Sequence, residues 1–157
     1  MPTATYIALA NTTLTGTAAT ITFSSIPSTY RDLVVVLNGT ATSSVNANLY
    51  FNSDTTAANY KFLRMYGQGS GSGDSNTGDD IAFDFYTNLT MVRFEIMDYS
   101  ATDKNKTVLT RWDTAANITG ATAYRWANTN AITSVILDCG TSTFASGTTA
   151  AIYGIVS

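Results

Sequence analysis

The chain is expected to fold as a single all-β domain, a jelly roll or β-sandwich of roughly 8–11 antiparallel strands. Three observations predict this. Apolar residues recur with period two, and almost nowhere at the i, i+3, i+4 spacing of a helix. The short apolar runs are separated by turns rich in Gly, Asn, Asp and Ser. Thr is the commonest polar residue, with 28 copies against 14 Ser and 12 Asn, and a β-branched side chain fits a pleated surface.

In chain order, Tyr6–Ala10 is a first short strand and Thr20–Ser24 alternates cleanly as a second. Pro27 fixes φ in the turn that follows. The continuous run Leu33-Val34-Val35-Val36-Leu37 within Asp32–Asn38 predicts a strand covered on both faces. Asn48–Asn52 and Tyr60–Tyr66 are the next two. Gly67–Asp80 carries so much Gly, Ser and Asp that it is expected to be a flexible, exposed loop. It is no phosphate-binding loop, because no helix pattern and no Lys-Ser/Thr pair follow it. Ile81–Tyr86, Met91–Met97, Lys106–Trp112, Ala121–Ala127, Ile132–Leu137 and Ala150–Val156 complete the series. Without helices between strands a parallel α/β fold is excluded, and no alignable repeat points to a propeller or solenoid.

A chain of 157 residues makes one domain, residues 1–157, with enough core to need no disulfide or structural metal. Its one cysteine, Cys139, ends an apolar run and reads as a small buried hydrophobe. The absence of histidine removes Cys–His and Ser–His–Asp catalysis and every histidine-ligated metal site. Charged residues are only 12% of the chain and the net charge is −3, with no basic run, so nucleic acid is not an expected partner. The N-terminus lacks the charged and apolar segments of a secretory signal, and the longest apolar stretch is too short to span a membrane. The N-x-Ser/Thr patterns at Asn11, Asn38, Asn88, Asn105 and Asn117 are then products of an Asn- and Thr-rich composition.

Few residues offer chemistry. Asp84, Glu95, Asp98 and Asp113 lie on or beside strands, and a glycosidase would need two of them across one sugar bond. Nothing in their spacing demands that, so no enzyme activity and no cofactor are expected. Asp74, Asp79 and Asp80, and the Asn52-Ser53-Asp54 turn, are oxygen-rich but lack calcium-loop spacing. The aromatics say more. Tyr124 and Trp126 share one strand face with Arg125 opposite, and Arg111 precedes Trp112. Core packing is the ordinary role of such aromatics. In a chain so poor in charge, Arg111, Trp112, Tyr124, Arg125 and Trp126 are also the candidate subunit or partner interface, because Tyr, Trp and Arg dominate interfaces.

Several segments carry a resemblance. Ile21–Val36, with its Ser24-Ser25-Ile26-Pro27-Ser28-Thr29-Tyr30-Arg31-Asp32 turn, resembles a pattern of tailed-bacteriophage structural proteins. So do Leu49–Asp54, Asn59–Gly67, Ala131–Leu137, Phe144–Thr148 and Ile152–Ile155, in order along most of the chain. These are strand-and-turn patterns, not catalytic signatures. The resemblance implies a virion protein, either a capsid decoration (cement) protein or a tail-fibre or tail-tip module binding host-surface glycan. A chain this short without heptads or a shaft segment favours decoration of the capsid surface. The expected partners are then the chain itself, as a homotrimer, and the major capsid protein.

Overall fold

The computed structural model describes residues 5–69 and 73–156. Met1–Ala4, where the sequence shows no signal segment, and Ser70–Ser72 of the Gly/Ser segment lie outside the described residues. The strands are β1 (Tyr6–Thr13), β2 (Thr20–Phe23), β3 (Asp32–Gly39), β4 (Val45–Phe51), β5 (Tyr60–Gln68), β6 (Gly73–Gly78), β7 (Ile81–Phe85), β8 (Thr90–Met97), β9 (Lys106–Thr114), β10 (Ile118–Trp126), β11 (Val135–Asp138) and β12 (Thr149–Ile155). All pairings are antiparallel. They form two sheets, a large one ordered β1-β12-β3-β8-β9-β10-β5-β6 and a small one ordered β2-β11-β4-β7.

The order resolves into a simple plan. Without β5, β6, β9 and β10, the strands divide into β1-β12-β3-β8 facing β2-β11-β4-β7, which is a jelly roll. The β5–β6 and β9–β10 hairpins are insertions that both add to one edge of the large sheet, beyond β8. The domain is thus a β-sandwich with one sheet much wider than the other.

Alternation dictates which residues meet inside. From the large sheet, Leu33, Val35 and Leu37 of β3, Val92, Phe94 and Ile96 of β8, and Val108 and Trp112 of β9 point inward. They meet Ala47, Leu49 and Phe51 of β4, Phe83 and Phe85 of β7, and Val135 and Leu137 of β11. Val34, on the other face of β3, is also buried, in keeping with the unbroken apolar run. Cys139 is fully buried, and burial pushes its thiol up to about 11. Gly154 has no room for a side chain, because a Cβ there would lie 2.3 Å from the Tyr30 ring packed across β12.

One expectation needs correction. The Gly67–Asp80 segment is not simply a loop: Gly67 and Gln68 extend β5, and Gly73–Gly78 form the edge strand β6, paired from Phe62↔Gly78 to Gly67↔Gly73. Its side chains are exposed, as its composition demands. Ladder hydrogen bonds use only main-chain groups, so a strand can form with nothing to bury. Polar side chains on an edge also discourage further pairing.

The inserted β5 and β10 are tied to the small sheet by aromatic rings with hydrogen-bonded ends. Tyr60 stacks on Tyr124 at 5.4 Å and lies nearly parallel to Trp126. The Tyr124 hydroxyl donates to the Leu49 carbonyl at 2.8 Å. The Trp126 Nε1 donates to Asp54 Oδ2 at 2.8 Å, and Asn59 Nδ2 donates to the same oxygen. Burial works to raise the Asp54 pKa, but the hydrogen bonds from Trp126, Asn59 and Thr56 win and hold it below its ordinary value of 3.8. Because the folded pKa lies below the unfolded one, this stabilisation is complete above about pH 4 and is lost as pH falls through the folded value. Replacing Asp54 by Ala is therefore expected to cost about 1–3 kcal/mol, read as a lower urea midpoint at neutral pH. Stability measured from pH 5 downward should fall less steeply in Asp54→Ala than in the parent.

Candidate docking face

The outer face of the large sheet carries what the fold itself does not use. Its cross-strand registers place side chains in rows. One row runs Leu63, Ala123, Leu109, Glu95, Val34 and Tyr153 across β5, β10, β9, β8, β3 and β12. The next runs Met65, Ala121, Arg111, Arg93 and Val36. On this face Leu63, Met65, Met91, Met97 and Leu109 are each 43% to 58% exposed, a concentration of large apolar side chains on one surface.

A depression of about 660 Å³ lies in this face. Its floor is low because Gly67, Thr119 and Ala121 are small. Met65 and Met91 wall it, and Arg93, Arg111 and Asp113 line it. Methionine is flexible and polarizable, so such walls adapt to an incoming group. Beneath, the Trp112 ring lies over Gly120, where a Cβ would approach it to 2.4 Å.

The charges on the face are organised. Arg93 and Arg111 stand directly opposite on β8 and β9, a repulsive arrangement by itself. Glu95 bridges them, its Oε1 accepting from Arg93 Nε at 3.0 Å and Arg111 Nη2 at 2.8 Å. Arg93 also donates to the Tyr6 hydroxyl and packs over that ring. Lys61 and Arg125 face each other on β5 and β10, and Lys61 pairs with Asp79. Four of the chain's eight basic residues, Lys61, Arg93, Arg111 and Arg125, thus share this face with three acidic ones, Glu95, Asp113 and Asp79, in a chain whose net charge is −3. The remaining four basic and eight acidic residues leave the rest of the molecule at −4.

The five residues singled out by sequence part company here. Arg111 and Arg125 lie on the outer face. Trp112, Tyr124 and Trp126 point the other way and are at most 2% exposed, so as interface residues they are corrected to core residues. The reason is strand alternation together with internal partners for the Tyr124 hydroxyl and the Trp126 indole, which leave neither needing an outside contact. Sequence reasoning missed Leu63, Met65, Met91, Met97 and Leu109. The usable signal was large apolar residues interspersed with charged ones in the outward-facing set of each strand, as in Met91, Arg93, Glu95 and Met97.

The carboxylates do not converge. Glu95 and Asp113 lie on the outer face, Asp98 pairs with Lys104 in a loop, and Asp84 is buried against Arg64 at the edge of the sandwich. Asp74, Asp79 and Asp80 go separately to Tyr66, Lys61 and Tyr50. Among the described residues, no three His, Cys, Asp or Glu side chains come together as a metal site, and no helix is long and apolar enough to cross a membrane.

No protein-family model matches the chain, and no curated protein does so significantly. Among solved structures, it is similar to a double mutant of the alginate lyase Aly36B in complex with alginate trisaccharide, at 8% identity over 87% of this chain and 80% of that one, with a TM-score of 0.31. So distant a likeness bears on neither fold nor chemistry.

Exposed residues of this face contribute little to folding. Exposed ion pairs are worth about 0–1 kcal/mol, and surface substitutions away from special features usually stay within about 0.5 kcal/mol. Met65→Ser and Met91→Ser should each leave the urea midpoint nearly unchanged, whereas Trp126→Ala, which empties a core site, should cost about 3–5 kcal/mol.

Proposed function

We propose that this chain is a virion structural protein, a capsid decoration (cement) protein that docks on the assembled phage head. The observation that supports this reading is the wide outer face, which displays apolar side chains and half of the basic residues, two of which, Arg93 and Arg111, line one depression. An apolar centre with arginines is the composition of a protein-binding surface. The excess of basic groups here, against an acidic remainder, fits a partner surface that carries carboxylates around an apolar projection, the role proposed for the major capsid protein.

A decoration protein acts by binding a surface that only the assembled shell presents. Binding to the assembled state alone stabilises it by mass action. This reading calls for no catalytic group and no cofactor.

Co-sedimentation with phage heads assembled without this chain tests the proposal, with host cells as the parallel sample. Saturable binding to heads, at a copy number commensurate with shell symmetry, is the expected result. Met65→Asp with Leu109→Asp should weaken it at least tenfold, about 1.4 kcal/mol, and added salt should weaken it further because the arginines are exposed. Binding to cells but not heads would overturn decoration and move the chain to the tail, as a glycan-binding module.

A further inference from the structure

A second, smaller cavity of about 240 Å³ opens away from the outer face, beside β4 and β7. Ser44, Val45, Asn46, Asp84 and Tyr86 line it. Behind it stands the ion pair of Arg64 and Asp84, whose side chains are only 9% and 8% exposed. Burying such a pair costs several kcal/mol per ion in desolvation, which its mutual attraction repays only with good additional hydrogen bonds. Those bonds are incomplete here. Among the described residues, Asp84 Oδ2 accepts only from the Tyr86 hydroxyl, at 3.4 Å. Asn46 Oδ1 receives Arg64 Nη1 at 3.5 Å, the limit of a hydrogen bond. Buried polar groups are normally satisfied, so an incomplete set at a cavity points to a missing occupant.

We infer that this cavity binds one neutral polyhydroxylated ring, a monosaccharide unit. The charge of the site selects the class. Arg64 repels a cation and Asp84 repels an anion, while the pair together is neutral. A sugar hydroxyl both donates and accepts, so it can give a proton to Asp84 Oδ2 and take one from the exposed Asn46 amide or the Ser44 hydroxyl. Val45 and the Tyr86 ring supply apolar wall for the carbon face of the ring. The volume lies below the roughly 300 Å³ where sites for drug-sized ligands begin, which suits a single ring. Burial and the neighbouring Asp84 push the Tyr86 hydroxyl up to about 12, so it remains a proton donor across the physiological range. The inference stands apart from the docking reading and shares no residue with the outer face.

The test is an NMR titration of isotopically labelled protein with glucose, galactose, mannose and N-acetylglucosamine, each to about 100 mM, since a one-ring site of this kind has a Kd on the order of 1–10 mM. At least one sugar should shift the backbone amides of Ser44, Val45, Asn46, Asp84 and Tyr86 saturably. Asn46→Ala should weaken that response about tenfold and Ser44→Phe, which fills the cavity, should abolish it. Both positions are exposed, so both variants fold, and both retain head binding because the outer face is intact. No saturable shift with any of the four sugars, or an undiminished shift in both variants, overturns the inference.

Discussion

Tyr60, Tyr124 and Trp126 meet between the two sheets, and the breadth of the large sheet depends on that meeting. A jelly roll needs only four strands facing four. The β5–β6 and β9–β10 insertions push the large sheet past the small one, and the inward faces of the added strands must still leave water. Large rings solve the problem, because each buries about 150–250 Å². Their polar ends would be costly if unpaired. Asp54 and the Leu49 carbonyl, both near the end of β4, receive the Trp126 indole and the Tyr124 hydroxyl. Tyr60 completes the arrangement, its hydroxyl donating to the Asp54 carbonyl and accepting from the Phe51 amide.

The extension has a consequence on its reverse side. Strands that bury rings inward turn Leu63, Met65, Leu109, Ala121 and Ala123 outward. The fold therefore brings large apolar side chains to its outer surface by the same alternation that fills its core. On that surface Glu95 holds Arg93 and Arg111 together, offsetting the repulsion between two like charges set opposite each other. Core and proposed docking face are two sides of the same four strands.

Elsewhere, polar residues secure the loops. Lys106 is fully buried and donates to the carbonyls of Ala101, Lys104 and Thr129, joining two loops at one end of the sandwich. Asn52, at φ +53°, turns the chain after β4 and accepts from the Thr133 and Ser134 amides. Such residues leave no periodic trace in sequence, since any Lys or Asn in a loop looks solvated. Lys106 even sits at the start of an alternating run, where a charged residue reads as the solvent-facing end.

The sequence by itself determined the all-β class, the single domain and most strand positions, because alternation and turn residues are local signals. It also determined the absence of histidine chemistry, since composition cannot be altered by folding. Tertiary structure decided the rest. Whether Trp126 or Arg125 faces outward depends on which side of β10 the small sheet covers, and that is fixed by chain connections far away in sequence. The strand at Gly73–Gly78 was hidden because its stabilising bonds are main-chain bonds to β5, to which composition is blind. The outer face and the Asp84 cavity were hidden for the same reason. Each gathers residues from strands distant in sequence, and only sheet order makes them neighbours.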